Sequence, residues 1–166
     1  MKRLIGPALG GFAAGAAGTV AMGGMSFLLR RMVEPNEPIS KTHYEQVVEW
    51  VAEKAGHEEE IDPASRVRRG ELLHLGFGAF WGLMFAVIFR KQKVRPLMHG
   101  SFFGITLWTG AFGGYLPALG ISRSFKDMNV YEFFRTVVCH LTYAITTVTF
   151  LKAFRSRAVN TPPPPA

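Results

Sequence analysis

Cysteine is almost absent from this chain, and acid is confined to one part of it. A single cysteine, Cys139, leaves no intramolecular disulfide and no cysteine-based zinc site. Residues 30–71 hold ten of the twelve acidic side chains and seven of the nineteen Lys and Arg. The remainder is apolar with thin basic connections, so a mean hydropathy of +0.15 understates how apolar most of the chain is. Four runs, 4–29, 72–89, 97–121 and 136–151, contain no Asp, Glu, Lys or Arg. At about 1.5 Å per residue, each crosses or nearly crosses a hydrocarbon core about 30 Å thick. The fourth run is short. Tyr131, Phe133, Phe134 and Phe154 extend its apolar face to a span of about 132–153, and Arg135 and Lys152 reach the interfaces. The expectation is an all-α, polytopic membrane protein, 1–166, with four transmembrane helices in a single domain. In such a chain a net charge of +7 points to anionic headgroups of the lipid bilayer rather than to nucleic acid.

Met1-Lys2-Arg3 followed by small apolar residues resembles the opening of a signal peptide. The apolar run continues to Leu29 and stops at Arg30-Arg31, whereas a signal core is about 7–15 residues long. Retention as the first helix is therefore expected. Between the second and third runs, Arg90–Arg95 carries four basic residues and no acid, which assigns it to the cytoplasm. Four spans then put both termini inside, with Lys2, Arg3, Lys152, Arg155 and Arg157. The opposite side holds ten Lys and Arg, mostly in the long 30–71 connection, which the positive-inside rule weights less.

That connection carries its own helix signal. Thr42-His43-Tyr44-Glu45 reads as a capping box, in which the hydroxyl meets the third amide and the carboxylate reaches back. Tyr44, Val47, Val48, Val51, Ala52 and Ala55 share one face, and Glu45, Glu49 and Glu53 form an acidic stripe. Gly56 ends the helix. The spacing predicts an amphipathic, extracytoplasmic helix over 42–55 lying across the outer ends of the spans. Its acidic face is either solvated or a docking surface for a partner. Asp62-Pro63 predicts a helix start well before the second span. Asn129 with Glu132 predicts another start, and Pro117 a kink or end near Gly120. Four prolines predict a disordered tail over 158–166.

Small residues recur every four positions. Gly11, Gly15, Thr19 and Gly23 form one row on the first segment, beside Gly6, Gly10, Ala14 and Gly18. Gly78, Gly82 and Ala86 form a row on the second. In lipid such rows let backbones approach, so Gly11, Gly15, Gly78 and Gly82 are packing residues, within the chain or across a homo-oligomer. The first segment, small on more than one face, is expected at the bundle centre.

Three histidines lie in or beside apolar runs: His74, His99 and His140. Intramembrane ionisable groups face protein interior, so all three are expected to point inward. His74 sits above the Gly78 row, His140 beside Thr136, Tyr143 and Thr147, and His99 beside Thr106 and Gly110. Depth places His74 and His140 in the outer half and His99 at the cytoplasmic end. The pair can make interhelical hydrogen bonds, titrate, or ligate a haem or metal. Glu71-Leu72-Leu73-His74 is one Glu-x-x-His, where a di-iron bundle needs two with further carboxylates, and Glu71 is expected to pair with Arg68. No serine, threonine or cysteine has a base partner, so catalysis is not expected, nor is a cofactor.

The stretch 74–82, His-Leu-Gly-Phe-Gly-Ala-Phe-Trp-Gly, resembles the YagU-like family of small bacterial inner-membrane proteins. So do the basic turn, the Gly-rich third segment ending Leu116-Pro117-Ala118-Leu119-Gly120, and Glu132 followed by His140-Leu141-Thr142-Tyr143. The Gly-rich first segment and Pro35 and Pro38 fit as well, and the acidic insertion at 40–62 departs from the pattern. The resemblance implies a multi-pass bacterial inner-membrane protein and names no substrate. The expected function is a non-enzymatic accessory or stress-related membrane component with pH-responsive buried histidines. The alternatives are a subunit of an oligomeric solute or proton transporter or channel, working with membrane-complex partners, and a haem- or metal-binding subunit.

Overall fold

The computed structural model describes residues 2–33, 41–57 and 62–160, and among these every regular element is helical. They are α1 (Lys2–Val33), α2 (His43–Lys54), α3 (Pro63–Ile88), α4 (Pro96–Gly110), a π-helical turn (Ala111–Tyr115), α5 (Leu116–Ala118) and α6 (Val130–Asn160). Pro35, Pro38 and residues 161–166 of the proline-rich tail lie outside the described residues. Residues 158–160, expected in that tail, instead continue α6, whose last turns precede the first proline at 162.

Local signals place the helix starts as expected. Thr42 Oγ1 accepts from the Glu45 amide at 3.2 Å, and Glu45 Oε1 accepts from the Thr42 amide at 3.1 Å. Asp62 Oδ1 accepts from the Ala64 and Ser65 amides at 3.0 and 3.1 Å, with Pro63 at the first helical position. Asn129 Oδ1 accepts from the Glu132 amide at 2.9 Å. Gly56 and Gly120 take φ values of 73° and 71°, the left-handed conformation that closes a helix where a side chain would be strained.

Among the described residues three helices are long and apolar enough to cross a membrane: Gly6–Val33, Pro63–Ile88 and Val130–Ser156. The third apolar run differs from the single regular helix expected over 97–121. Its α-helical part is 15 residues long, and the backbone then widens into the π turn before α5. A π turn frees carbonyls from the helical ladder. Here the returning loop takes one up, since the Phe125 amide donates to the Phe112 carbonyl at 3.1 Å. The Phe125 ring lies over Gly113, where a Cβ would sit 2.7 Å from it.

The long helices stand in the order α3, α1, α6, α4, and the Phe85 and Phe103 rings, 4.8 Å apart, link α3 to α4. α1 therefore shares the centre with α6 rather than holding it alone. The glycine rows make the α1–α3 seam. A Cβ on Gly82 would lie 2.5 Å from Gly15 Cα, and one on Gly15 would run into the Gly78 carbonyl. Across this seam Tyr143 Oη of α6 donates to the Gly78 carbonyl at 2.6 Å. Gly6 and Gly23, expected in the rows, have no neighbour at all at the Cβ position. A second glycine seam, not read from the sequence, joins α4 to α6: a Cβ on Gly100 would lie 2.8 Å from Ile145 Cα, and one on Gly104 2.8 Å from the His140 carbonyl oxygen.

α2 lies on α3. Its Glu45 backbone rests on Gly70, and Arg66 reaches Glu49 at 2.9 Å and Glu45 at 3.8 Å. Two residues of the acidic stripe thus hold α2 to its own bundle. Lys41, 2.6 Å from Glu49, holds that carboxyl below the usual range. Val51 and Ala55, expected on the buried face, are exposed, whereas Ala52 between them is buried. Among the described residues Glu71 has no ion pair with Arg68, and both side chains are exposed. At the far end, the Arg155 guanidinium donates to the carbonyls of Ala86, Phe89 and Gln92 at 3.2, 3.1 and 3.3 Å, closing the carboxyl end of α3.

Candidate functional site

Where α3 and α4 diverge, α2 covers the gap, and a chamber of about 630 Å³ remains beneath it. Its walls come from the last turns of α1, the first turns of α2, α3 and α6, and the π turn. Three imidazoles line it, His43 from α2, His74 from α3 and His140 from α6. Phe112, buried on the π turn, meets His43 edge-on at 5.2 Å and His140 edge-on at 5.8 Å between ring centroids. The Tyr44 ring stacks on His74 at 4.1 Å.

Each ring is held by its element. His140 Nδ1 lies 2.9 Å from the Thr136 carbonyl one turn earlier, which leaves Nε2 to face outward from that bond. Thr136 itself accepts from Trp108 Nε1 at 3.0 Å, tying α6 to α4 at this level. His74 has the Tyr44 stack, and no hydrogen bond joins it to His140 among the described residues. Burial pushes the His43 imidazole below its ordinary pKa. The Arg135 guanidinium acts in the same sense and Glu132 in the opposite one. Burial also raises the Tyr44 phenol, which remains a neutral donor.

His74 and His140, expected in one site, line the same cavity. His99 is not part of it; it lies half-buried in the first turn of α4. Its Nδ1 accepts from the Arg95 amide at 3.0 Å and its ring meets Phe89 at 5.6 Å, while Thr106 and Gly110 on its face are exposed. The inward row of α4 is Gly100, Phe103, Gly104 and Trp108, because the glycines admit α6 on that side. Glu71 lines the chamber mouth one turn from His74. Arg135, expected at the interface, lies in the wall, its Nη1 3.5 Å from Ser26 Oγ. Gly11, Gly15, Gly78 and Gly82 form the seam below the chamber.

His43 was missed from sequence because it lies outside the apolar runs. The capping box that fixes Thr42 as the helix start also sets the rotation of His43 and Tyr44, and that signal was present. Among the described residues no three of His, Cys, Asp and Glu gather closely enough to hold a metal ion. Cys139 is buried in the wall beside His140, as a small apolar residue would be.

No curated protein and no solved structure matches this chain. One family does, DUF1440, a family of proteins of unknown function, over residues 63–149. The match runs from the start of α3 to within α6 and takes in His74, the π turn, Arg135 and His140. Covering more than half of the sequence, it shows that the chain belongs to the DUF1440 family, which is the YagU-like family its motifs resemble.

Proposed function

We propose that the protein is a multi-pass component of the bacterial inner membrane with both termini inside, that it catalyses no reaction, and that its chamber responds to acid. The observation that carries this reading is the meeting of His43, His74 and His140, from three helices, around one cavity. Protonating any of these rings adds positive charge beside Arg135 in a poorly solvated space, where like charges repel. The charged and titratable groups facing the rings are Arg30 and Arg31 of α1, Lys41 just before α2, and Tyr44 and Glu45 of α2. Glu71, Tyr115, Glu132, Arg135 and Cys139 complete the set from α3, the π turn and α6. Such a component suits an accessory role under acid or related stress. The glycine seams that close the bundle beneath the chamber favour this over a solute or proton path.

The sign of the response follows from His43. Its folded-state pKa is depressed, so the unfolded chain takes up the proton first as pH falls through about 6.5. The stability that its neutrality contributes is complete above that value and is lost as pH falls toward the folded-state value. Thermal unfolding in detergent should therefore be flat from pH 8 to about 7 and fall toward pH 5, with His43→Gln flattening the fall. If His43→Gln and the double variant His74→Gln/His140→Gln both track wild type between pH 7.5 and 5, the acid-responsive reading is lost.

The four-span count rests on the helical path from Pro96 to Ala118, roughly 34 Å at 1.5 Å per residue, which is long enough to cross. Single cysteines at Glu53, Lys93 and Lys126, in a Cys139→Ala background, would be probed on intact cells with an impermeant thiol reagent. Labelling is expected at 53 and 126 and not at 93. Labelling at 93 and 126 together would remove the third crossing, and labelling at 93 alone would invert the protein.

A further inference from the structure

Building on the membrane reading above, we propose that the chamber binds an anionic amphiphile, a single phosphate or carboxylate group on an apolar body. Its walls are sorted by chemistry along the helix axes. Arg30 and Arg31 line one end of the α1 wall and Met22 the other, eight residues and about 12 Å away. On α6, Arg135 precedes Cys139 and His140 by a turn in the same direction. The deeper lining is Met22, Phe112 and Ala111, and the outer lining carries Arg30, Arg31, Lys41 and Arg135 with the acids Glu45 and Glu71.

Two acids line the chamber, Glu45 and Glu71, and among the described residues neither forms an ion pair with Arg135. Glu45 is engaged by Arg66 and by its own capping box, and Lys41 by Glu49. Arg135 lines the chamber; its Nη1 makes a 3.5 Å contact to Ser26, its guanidinium lies 5.9 Å from the Tyr131 ring centroid, and its Nε, buried in the wall, has no hydrogen-bond partner. A guanidinium that lines a cavity without a carboxylate partner attracts an anion, and a carboxylate or phosphate matches its planar fork. A small hydrophilic anion would leave the Met22 and Phe112 walls against its own hydration, and a neutral lipid would leave Arg135 unmet. An amphiphile satisfies both parts, and about 630 Å³ is the size of a small-ligand site. Such an anion would come either from a membrane lipid headgroup or from a soluble fatty acid.

The test uses the full chain purified in neutral detergent at pH 7.5, where the outcome does not depend on titration of the histidines or on topology. Native mass spectrometry would measure binding of lysophosphatidylglycerol, dodecanoate and, as the zwitterionic control, lysophosphatidylcholine. At least one of the two anions should bind about tenfold tighter than the control, lysophosphatidylglycerol alone marking a lipid source and dodecanoate alone a soluble one. Arg135→Gln should lose that preference, and Arg135→Lys should keep most of it. Gly23→Leu, whose Cβ would enter open space at the chamber wall, should weaken both anions without altering unfolding. Equal binding of all three probes, or an unchanged preference in Arg135→Gln, would overturn the assignment.

Discussion

Gly15→Leu and Gly82→Leu should each destabilise the bundle by about 3 kcal/mol or more, at the upper end for overpacking a closed interface. The reason is what the new side chain meets. At Gly15 a Cβ runs into the Gly78 carbonyl and lies 3.0 Å from the Cα atoms of Ala79 and Gly82, so no rotamer change relieves it. The helices must separate, and the Tyr143 hydrogen bond to Gly78 separates with them. In lipid, no hydrophobic drive restores the contact, because a leucine facing an acyl chain is as well solvated as one facing a helix. Leu9→Ala, on a side chain 65% exposed on the same helix, should change stability by less than about 0.5 kcal/mol. Detergent-denaturant titrations would measure all three. Gly15→Leu and Gly82→Leu curves that overlay wild type would remove the seam as the source of α1–α3 packing.

Phe112→Ala should cost about 3 kcal/mol and loosen α2 in particular. Phe112 is 3% exposed, and its ring touches His43 of α2, Trp108 of α4 and His140 of α6. Truncating it opens the floor of the chamber and removes a ring contact that α2 makes on the side away from α3. The expected readout is hydrogen exchange over α2 at least about tenfold faster, against little change in the α1–α3 seam. Phe112→Leu, which keeps most of the volume, should recover much of the stability. Unchanged exchange in α2 would mean that Arg66 and the Tyr44–His74 stack hold it without the ring.

The elements whose position depends on neighbouring residues were legible in the chain. Capping at Thr42, Asp62 and Asn129 is a contact within three residues, and it appears where the spacing puts it. Apolar length located the three helices fit to cross a membrane, and four-residue spacing located the Gly15–Gly82 seam. Thr106 and Gly110, which spacing puts on the face of His99, are exposed, while His99 itself is half-buried with its ring on Phe89. Close approach of α6 to Gly100 and Gly104 turns the glycine face of α4 inward instead. The Glu71–Arg68 pair was misread for a similar reason. A same-helix partner was assumed, whereas Arg66, on another face, is the arginine that meets carboxylates brought by α2.

The sequence by itself therefore determined an all-helical chain of membrane-crossing character, its helix starts and stops, and the residues small enough to let backbones touch. These follow from hydropathy, short-range hydrogen bonds and side-chain volume, which are properties of nearby residues. Tertiary structure alone decided the π turn, which exists because Phe125 returns to take up the Phe112 carbonyl. It alone decided that His43 joins His74 and His140, since residues from three separate helices share a cavity only after α2 has folded back over α3. And it alone left Arg135 Nε buried without a partner beside that cavity, because which donors stay unmet depends on every helix packed around them.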